Sequence, residues 1–199
     1  MFHKIQCVIL THGDKGTPHK QRLVETNPWL DVSVWTSSGD RGAFPNCDRN
    51  VRDWARVHEV SADFVLFLEY DVCVTGDISP LFNFEADLEG SWFLPDLISG
   101  RHFSFLHTIK QLPEEMQKSA CVLAPLAVLL VSKKALLAVA NPTFDALFDL
   151  SMDSEVRFPS VITGCGFRVS GNANLPHVCC QLRQLPKTCT SIIRHPAKV

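Results

Sequence analysis

The first 70 residues alternate between short apolar runs and stretches with helical spacing, and this alternation limits the possible folds more than any other feature. Residues 5–10, 31–38 and 64–68 have the lengths and apolar patterns of strands, and residues 20–26 and 46–60 have the patterns of helices. Strands and helices in this order predict right-handed crossovers and a mostly parallel central sheet. Such sheets bind ligands beyond the carboxyl ends of their strands, so the polar loops after these three runs are the first candidates for a site.

The rest of the sequence adds shorter elements to the same domain. No repeat, low-complexity tract or linker divides the 199 residues, so a single α/β domain is the simplest interpretation. Ser79 is suited to cap a helix that has Pro80 at its first position. The other expected elements are a strand at 90–95, an irregular loop at 98–119 with a helical turn near Pro113, a strand and helix at 127–141, and helices at 143–151 and 154–164.

Composition and charge argue against several classes of protein. The formal net charge of −2 argues against nucleic acid as the main partner. The longest apolar stretch, 120–131, contains Pro125 and is too short to span a bilayer. The first ten residues carry a charge inside their apolar run and lack a small-residue cleavage site, which favours a first strand over a signal peptide. We therefore expect a cytoplasmic protein without a transmembrane segment.

The eight cysteines do not form a pattern that fixes a metal site. Cys7, Cys73 and Cys121 lie within or beside apolar runs, where a thiol behaves as a small hydrophobic side chain. The stretch HVCC at 177–180, together with Cys189, could suggest zinc, but the sequence has no C-x-x-C pair. We interpret these residues as core or loop cysteines.

The third apolar run ends abruptly in two acids, Glu69 and Asp71, within the stretch ADFVLFLEYDVCVTGDIS. Paired acids repel each other and lose hydration on burial, so something usually compensates them. In an extended chain, residues two apart point the same way, and the two carboxylates would then face one site. A hard cation takes one or two carboxylates when substrate phosphates complete its ligands. A solvated strand end, with Asp71 bonded to loop amides, explains the pair equally well.

This stretch resembles the signature of the GT-A-fold glycosyltransferases, in which a hydrophobic strand ends in an acid-x-acid motif that binds the metal of a nucleotide-sugar. The motif here is Glu69-Tyr70-Asp71. Segments resembling other parts of that family are ILTHGD for the nucleotide loop, VWTSSGD for the end of the second strand, AVLLVSKKAL for the donor-sugar segment, MDSEVRFPSV for the acidic helix start near the acceptor, and IIRHPAK for the histidine segment that closes over metal and diphosphate.

The resemblance implies a fold and an activity. The fold is a single GT-A-like, Rossmann-related domain over residues 1–199, with a mixed, mostly parallel central sheet flanked by helices. The activity is metal-dependent transfer of a sugar from a nucleotide-diphosphate donor to an acceptor hydroxyl. The implied cofactor is Mn²⁺ or Mg²⁺, the favoured donor is a UDP-sugar, and the acceptor is a saccharide or another hydroxyl compound.

The sequence departs from the family pattern at three points. Glu69 stands where the commoner motif has aspartate. Residues 124–127, Ala-Pro-Leu-Ala, replace the glycine-containing loop that often precedes the donor-sugar segment. An acceptor-binding extension is not visible, so the chain could be one domain of a longer polypeptide.

The resemblance assigns the nucleotide to loops at the strand ends. Thr11, His12 and Gly13 would contact base or ribose, although a plain turn also explains them. Asp40 would do the same, or it forms a turn in the stretch SSGDRG.

The resemblance also implies residues for the donor's diphosphate side. Glu69 and Tyr70 would contact the donor as members of the acid motif. Arg49 and Arg52 are three residues apart on one helix and would reach toward the diphosphate together, with a solvated helix surface as the alternative.

The C-terminal segment is the implied source of a second metal ligand. His195 would supply imidazole opposite Asp71, and Arg194 or Lys198 would neutralise phosphate oxygens. An unremarkable histidine before proline in a basic tail is the other interpretation.

Two acids at the start of the last helix are candidate catalytic groups. Glu155, or alternatively Asp153, would act as the general base that deprotonates the acceptor hydroxyl. A structural account is also complete, because Ser154 or Asp153 can cap this helix and Glu155 can interact with its dipole.

Two rival functions follow from the same residues. A phosphatase of the haloacid-dehalogenase type places Asp-x-Asp-x-Thr after a strand, but here Cys73 occupies the position of the second acid and the motif follows the third strand. A nucleotide-sugar-binding module without catalysis is the other rival, and Glu69 and the altered loop at 124–127 favour it.

Overall fold

The structure, a computed structural model, describes most of the chain. The described residues are 3–13, 15–37, 47–90, 108–120, 127–172, 174–175 and 192–194. The strands are β1 Ile5–His12, β2 Asp31–Ser37, β3 Phe64–Glu69, β4 Cys73–Val74, β5 Leu88–Gly90, β6 Val128–Ser132, β7 Val169–Gly171 and β8 Ile193–Arg194. The helices are α1 Lys20–Thr26, α2 Cys47–Val57, α3 Glu114–Gln117, α4 Lys133–Val139, α5 Asp145–Phe148 and α6 Ser154–Gly164, with 3-10 turns at Ser79–Leu81, Ile109–Gln111 and Pro142–Phe144.

Six of these strands form one mixed sheet in the order β2-β1-β3-β6-β5-β7. β1 pairs in parallel with β2 and with β3, and β5 pairs in parallel with β7. The pairs β3–β6 and β5–β6 are antiparallel. Parallel pairings are therefore the majority, and the first three strands are arranged as the sequence predicts.

β3 explains why its sequence is a continuous apolar run. Alternate residues of a strand point to opposite faces of the sheet, and both faces are covered here. Val65 packs into a core cluster with Trp54 of α2 and Phe158 of α6. Leu66 packs into a second cluster with Leu23 of α1. Each such buried side chain stabilises the fold by about 1.5–3 kcal/mol. Because both faces of the sheet are covered, a ligand can reach β3 only at its ends.

Several predicted elements are confirmed, and others need correction. The strand and helix predicted at 127–141 are β6 and α4, and a helix follows Pro113 as expected. The helix expected at Ser79 is wrong: only one 3-10 turn forms there, Ile78 occupies the capping position, and the Ser79 hydroxyl donates to Asp77. The strand β7 was not predicted, since its three residues are too few to show a period. The strand expected at 90–95 overlaps β5 only at Gly90, and residues 91–107 lie outside the described part of the chain.

The described cysteines agree with the prediction of core thiols. Cys7 and Cys73 are buried and not disulfide-bonded. Cys121 and the cysteines at 179, 180 and 189 lie outside the described residues. Within the described part of the chain, no helix is long and apolar enough to cross a membrane.

Candidate active site

The carboxyl ends of β2, β1 and β3 meet at one edge of the sheet. The parallel registers set His12 beside Ser37 and Leu10 beside Glu69. The chain passes from β1 to β2 on one side and later adds β3 on the other side of β1. This reversal opens a crevice at the strand ends, which is where open α/β sheets bind ligands. The ends of β1 and β3 therefore lie together, as the sequence predicts.

The rings of His12 and Tyr70 lie against each other at this edge. Their centroids are 5.4 Å apart and their planes are at 79°, while Lys15 Nζ lies 5.8 Å from the Tyr70 centroid. His12 Nδ1 and Ser37 Oγ are buried, and neither has a hydrogen-bond partner among the described residues. A buried polar atom without a partner costs about 1–3 kcal/mol. Both atoms are therefore suited to meet the polar groups of a ligand.

Thr11 and Gly13 shape the turn that follows the strand. The Thr11 hydroxyl donates a 2.6 Å hydrogen bond to the carbonyl of Lys15, and the residue is buried. Gly13 has a φ of +52°, in the left-handed region that favours glycine. No described atom lies within 4 Å of the point that a Cβ on Gly13 would occupy. Thr11 thus holds the loop together, and Gly13 leaves open space beside the strand ends.

The acid motif does not continue β3 as an extended chain. The strand ends at Glu69, and the Val72 N–H donates a 3.0 Å hydrogen bond back to the Glu69 carbonyl. Tyr70 and Asp71 are therefore the central residues of a turn. The sequence prediction assumed an extended chain from Glu69 to Asp71, in which residues two apart point the same way. That assumption is wrong, because a turn begins at Glu69. The Glu69 N–H bonds to the carbonyl of Ala127, just before β6.

The side chain of Glu69 interacts with Cys47, the first residue of α2. The buried Cys47 thiol donates a hydrogen bond to the Glu69 carboxylate. Burial first, and then the charges of Glu69, Asp48 and Glu155, raise the Cys47 pKa well above its ordinary range. The sequence gives no signal for this contact, since a cysteine before an amphipathic helix is ordinary.

Glu155 lies in the first turn of α6 and is 3% exposed. Its pKa is raised from an ordinary 4.5 to about 7, chiefly by burial, and the charges of Asp153 and Glu69 add to the effect. Its own backbone N–H and the Ser154 hydroxyl, which donates at 3.1 Å, act in the opposite direction. The structure thus brings Glu155 within electrostatic reach of the acid motif, and the carboxyl exchanges its proton near neutral pH.

Asp153 occupies the N-cap position of α6, but its side chain makes no capping hydrogen bond. The capping explanation is therefore wrong for this carboxylate. Burial raises the Asp153 pKa, and the Arg157 cation partly offsets that rise. The carboxylate lines a cavity of about 330 Å³ with a largely polar wall. The other lining residues are Arg49, Thr108, Asp149, Leu150, Ser151, Met152 and Arg157.

A buried ion pair joins α2 to α6. Asp48 is fully buried and Arg157 is 1% exposed, and the contacts Nε–Oδ2 and Nη2–Oδ1 are 2.6 and 2.7 Å. Neither residue was predicted as a site residue from the sequence. A charge on an amphipathic helix is normally assigned to the solvent side, so pattern alone does not find a buried pair.

The two predicted phosphate-binding arginines have different surroundings. Arg49 Nε donates a 2.6 Å hydrogen bond to the carbonyl of Phe148, and its side chain lines the cavity beside Asp153. Arg52 is 8% exposed, pairs with Asp53 at 2.8 Å, and lies 4.9 Å from the Phe148 ring centroid. The solvated-surface explanation is wrong for Arg52. Its described contacts lie between α2 and α5 and do not include a strand-end residue.

The C-terminal segment pairs beside the acid motif. β4 and β8 are antiparallel with Cys73 opposite Arg194, and the Thr75 N–H donates a 2.8 Å hydrogen bond to the carbonyl of Ile192. This pairing brings the backbone of Arg194 to within two residues of Asp71 in the register. The predicted site residues Asp40, His195 and Lys198 lie outside the described residues.

The donor set is compatible with a hard cation. The carboxylates of Glu69 and Asp71 contain the type of oxygen ligand that Mn²⁺ and Mg²⁺ prefer. Among the described residues, no group of three histidine, cysteine, aspartate or glutamate side chains could hold a metal ion. Any such ion would therefore need ligands from the substrate or from residues outside the described ranges.

The sheet order, the crevice between β1 and β3, and the acid turn after β3 define a GT-A-like glycosyltransferase fold, and the predicted fold class is confirmed. A solved glycosyltransferase involved in glycosylation of the major capsid of PBCV-1 is similar, with a TM-score of 0.52, 12% identity, and coverage of 83% of this chain and 81% of that chain. Identity this low shows a shared fold and nothing finer.

Other solved structures are similar to a lesser degree. The galactosyltransferase LgtC, solved with donor and acceptor sugar analogs, matches with a TM-score of 0.48 and 15% identity over 82% of this chain and 72% of that chain. The glycosyltransferase GlyE of Streptococcus pneumoniae TIGR4 matches with a TM-score of 0.46 and 15% identity over 84% of this chain and 45% of that chain. No protein-family model matches the sequence, and no curated protein matches it significantly.

Proposed function

We propose that the protein is a glycosyltransferase that moves a sugar from a nucleoside-diphosphate donor to an acceptor hydroxyl, with Mn²⁺ or Mg²⁺ as cofactor. The observation that carries the proposal is the grouping at the crevice of a GT-A-like sheet. Glu69, from the acid motif, is hydrogen-bonded to Cys47 and electrostatically coupled to Glu155. An acid at the start of α6 thus lies within electrostatic reach of the end of β3, and the end of β3 lies at the edge where such sheets bind ligands.

The nucleotide end of the donor is assigned to the turn after β1. The His12 and Tyr70 rings offer apolar surface for a base, and the buried His12 Nδ1 offers a polar atom. Gly13 leaves room for a ribose, and we propose that Thr11 contributes through its position in the turn. Asp40 is a proposed ribose or base contact, and Glu69 is a proposed donor contact within the acid motif.

The diphosphate and the metal are assigned to the motif turn and the C-terminal segment. Asp71 would hold the cation with His195, the residue that follows β8. A bound cation would neutralise the charge that grows on the leaving diphosphate. The proposed positive groups of the chain are Arg49, Arg52 and Lys198.

Proton removal is assigned to Glu155. A general base works best with a pKa near the operating pH, and the Glu155 pKa of about 7 meets that condition. Asp153 is the second candidate. The polar cavity that it lines, about 330 Å³, is at the small end of ligand sites and suits a hydroxyl-bearing acceptor.

A donor screen tests the proposal. The melting temperature is measured with UDP-, GDP- and CMP-sugars, with and without Mn²⁺, and any stabilising donor is then assayed for hydrolysis and transfer. We expect a UDP-sugar with Mn²⁺ to raise the melting temperature and to be turned over. If no donor stabilises the protein under either condition, the proposal fails.

One observation favours a second candidate function, a nucleotide-sugar-binding module without catalysis. Glu155 is only 3% exposed, and a base must reach the acceptor hydroxyl. Donor-dependent stabilisation without hydrolysis or transfer would select this function. The phosphatase alternative is not retained, because its acid motif follows the first strand and the motif here follows β3.

A further inference from the structure

The ion pair between Asp48 and Arg157 has no role in the function proposed so far. Arg157 binds both oxygens of Asp48, at 2.6 and 2.7 Å. Its Nη1 also donates to the carbonyls of Leu150 and Met152, at 2.7 and 2.9 Å. One buried guanidinium thus ties the first turn of α2 to the segment that leads into α6.

Stability alone does not account for this pair. Burying two charges carries a large desolvation cost, and hydrophobic side chains of similar volume often stabilise a fold as well or better. Hydrophobic side chains cannot supply four directed hydrogen bonds, however. What the pair adds is therefore a defined geometry between the two helices.

On the α2 side, Asp48 lies between two residues of the candidate site. Cys47 donates its thiol hydrogen bond to Glu69 at the end of β3. The Arg49 N–H donates a 2.9 Å hydrogen bond to Asp48 Oδ1, and the Arg49 side chain lines the cavity. Holding the Asp48 carboxylate therefore holds the start of α2 against the acid motif.

On the α6 side, Arg157 is bonded to one candidate base and lies in the same helix as the other. Its backbone N–H donates a 2.9 Å hydrogen bond to the carbonyl of Asp153, and Glu155 lies two residues before it. The carbonyls that its guanidinium binds, those of Leu150 and Met152, belong to the segment immediately before Asp153. Arg157 is therefore bonded to two backbone carbonyls of the segment that leads into the helix.

We propose that the buried Asp48–Arg157 pair is a positioning element that fixes the acids at the start of α6 relative to the acid motif at the end of β3. The inference rests on the proposed glycosyl transfer for its catalytic meaning. The effect of the pair on the surroundings of Asp153 and Glu155 can be measured by titration, without an assay of transfer.

The charges that face Asp153 determine what a loss of the pair should do. Arg157 and Glu155 face it from α6, Arg49 from α2, and Asp149 from the segment before the helix. Of these groups, Arg157 is the cation that lowers the Asp153 pKa. Removing Arg157 should therefore raise the pH at which Asp153 titrates.

Glu155 has its own set of facing groups. Asp153 lies in the same turn, Glu69 at the end of β3, and Cys47 at the start of α2. The pair of Asp48 and Arg157 joins α6 to α2, and Cys47 of α2 is bonded to Glu69. A shift of α6 relative to α2 therefore changes the position of Glu155 relative to Cys47 and Glu69. Such a shift alters the titration of Glu155 as well.

The test is the double variant Asp48→Leu with Arg157→Met, which replaces the pair by apolar side chains. The readouts are the melting temperature, the carboxyl ¹³C titration curves of Asp153 and Glu155, and kcat with the donor selected by the screen of UDP-, GDP- and CMP-sugars. Arg56→Met is the matched control, because Arg56 also joins α2 to another helix through an ion pair, with Asp145 at 2.5 Å.

We expect the folded double variant to titrate Asp153 at a higher pH than wild type and to lose about 10–100-fold in kcat. The control should keep both values. A folded double variant with wild-type titration and wild-type kcat overturns the proposal. If the wild-type protein shows no transfer, the proposed function is rejected. The titration curves then still decide whether the pair sets the surroundings of the two acids.

A second variant covers failure of the double variant to fold. Arg157→Lys keeps the charge but cannot bind both Asp48 oxygens and two carbonyls at once. We expect it to fold, with altered titration of Glu155 and lowered kcat, and wild-type values for both would overturn the proposal. If neither variant folds, the pair is required for folding itself, and the positioning role is rejected.

Discussion

Glu155 couples stability to pH through a single buried carboxyl. Its pKa is about 7 in the folded protein and an ordinary 4.5 in the unfolded chain, so the folded state binds this proton more tightly. Stability from this group is therefore fully present below pH 4.5 and is lost as the pH rises through 7. The shift corresponds to about 3 kcal/mol, because each pKa unit is worth about 1.4 kcal/mol.

Glu155→Gln should remove this pH dependence. The amide stays neutral, so the variant should be more stable than wild type at pH 8 by up to about 3 kcal/mol and similar to it at pH 4.5. Urea unfolding at both pH values measures the difference. Glu59→Gln, at an exposed position, is the control and should leave the pH profile unchanged. An equal pH profile for Glu155→Gln and wild type would contradict the assigned protonation.

The same substitution has a separate expected effect on transfer. If Glu155 removes the acceptor proton, Glu155→Gln should bind the donor as wild type does and lower the transfer rate by about 100-fold or more. In the wild type, the rate should rise as the pH passes about 7, since only the ionised carboxyl accepts a proton. Transfer near the wild-type rate in Glu155→Gln would assign the base to Asp153 or show that no protein base is needed.

At the scale of elements, the contact between α2 and the end of β3 gives a prediction about Cys47. Cys47→Ala removes the thiol that donates to Glu69, and we expect donor affinity to fall about 3- to 10-fold, the equivalent of about 0.5–1.5 kcal/mol. Cys47→Ser keeps a donor and should bind nearly as wild type does. Cys7→Ala removes a fully buried thiol from the opposite core cluster and should leave affinity unchanged. Equal affinities for all three variants, measured by calorimetry, would show that the contact is structural only.

Elements with a strong period were predictable, and contacts between elements were not. The apolar run of β3 and the helical spacing over α2 follow from burial on a sheet face and on one helix side, and both elements are confirmed. Val51, Trp54 and Ala55 are buried as that spacing predicts, whereas Val57 is 66% exposed. The turn after Glu69 was missed because the acid motif itself contains neither glycine nor proline as a turn signal. Asp48 and Arg157 are 109 residues apart in the chain and pair only because α2 packs near α6. A local sequence pattern does not predict such a contact.

At the scale of the whole molecule, the fold was predicted mainly from the order of strands and helices along the sequence. Strand, helix and strand in succession predict parallel pairing in the first half of the chain, and β1 pairs in parallel with both β2 and β3. The antiparallel pairing of β6 with β3 did not follow from sequence, because a buried strand shows the same apolar run in either direction. A candidate site at the strand ends was predictable, since it depends on topology and less on individual contacts.

Binding of the proposed ligand should also raise the stability of the folded protein. If Asp71 helps to hold a cation, a nucleoside diphosphate should bind weakly without metal, because Glu69 and Asp71 would repel its phosphates. With Mn²⁺ and UDP at about 100 times the dissociation constant, the folded state should gain about 2.7 kcal/mol. UDP in excess EDTA should give little increase in melting temperature.

Asp71→Asn separates this metal effect from general stabilisation. The amide keeps the size of the side chain and removes its charge, so UDP affinity with Mn²⁺ should fall to the level that wild type shows in EDTA. The melting temperature of the variant without ligand should hold or rise slightly, because two neighbouring acids no longer repel each other. A structural aspartate would give the opposite pair of results: a loss of about 1–3 kcal/mol from disturbed turn hydrogen bonds, and unchanged metal-dependent affinity of the folded fraction. A destabilised variant that still binds UDP with Mn²⁺ as tightly as wild type would end the proposal of metal-dependent transfer.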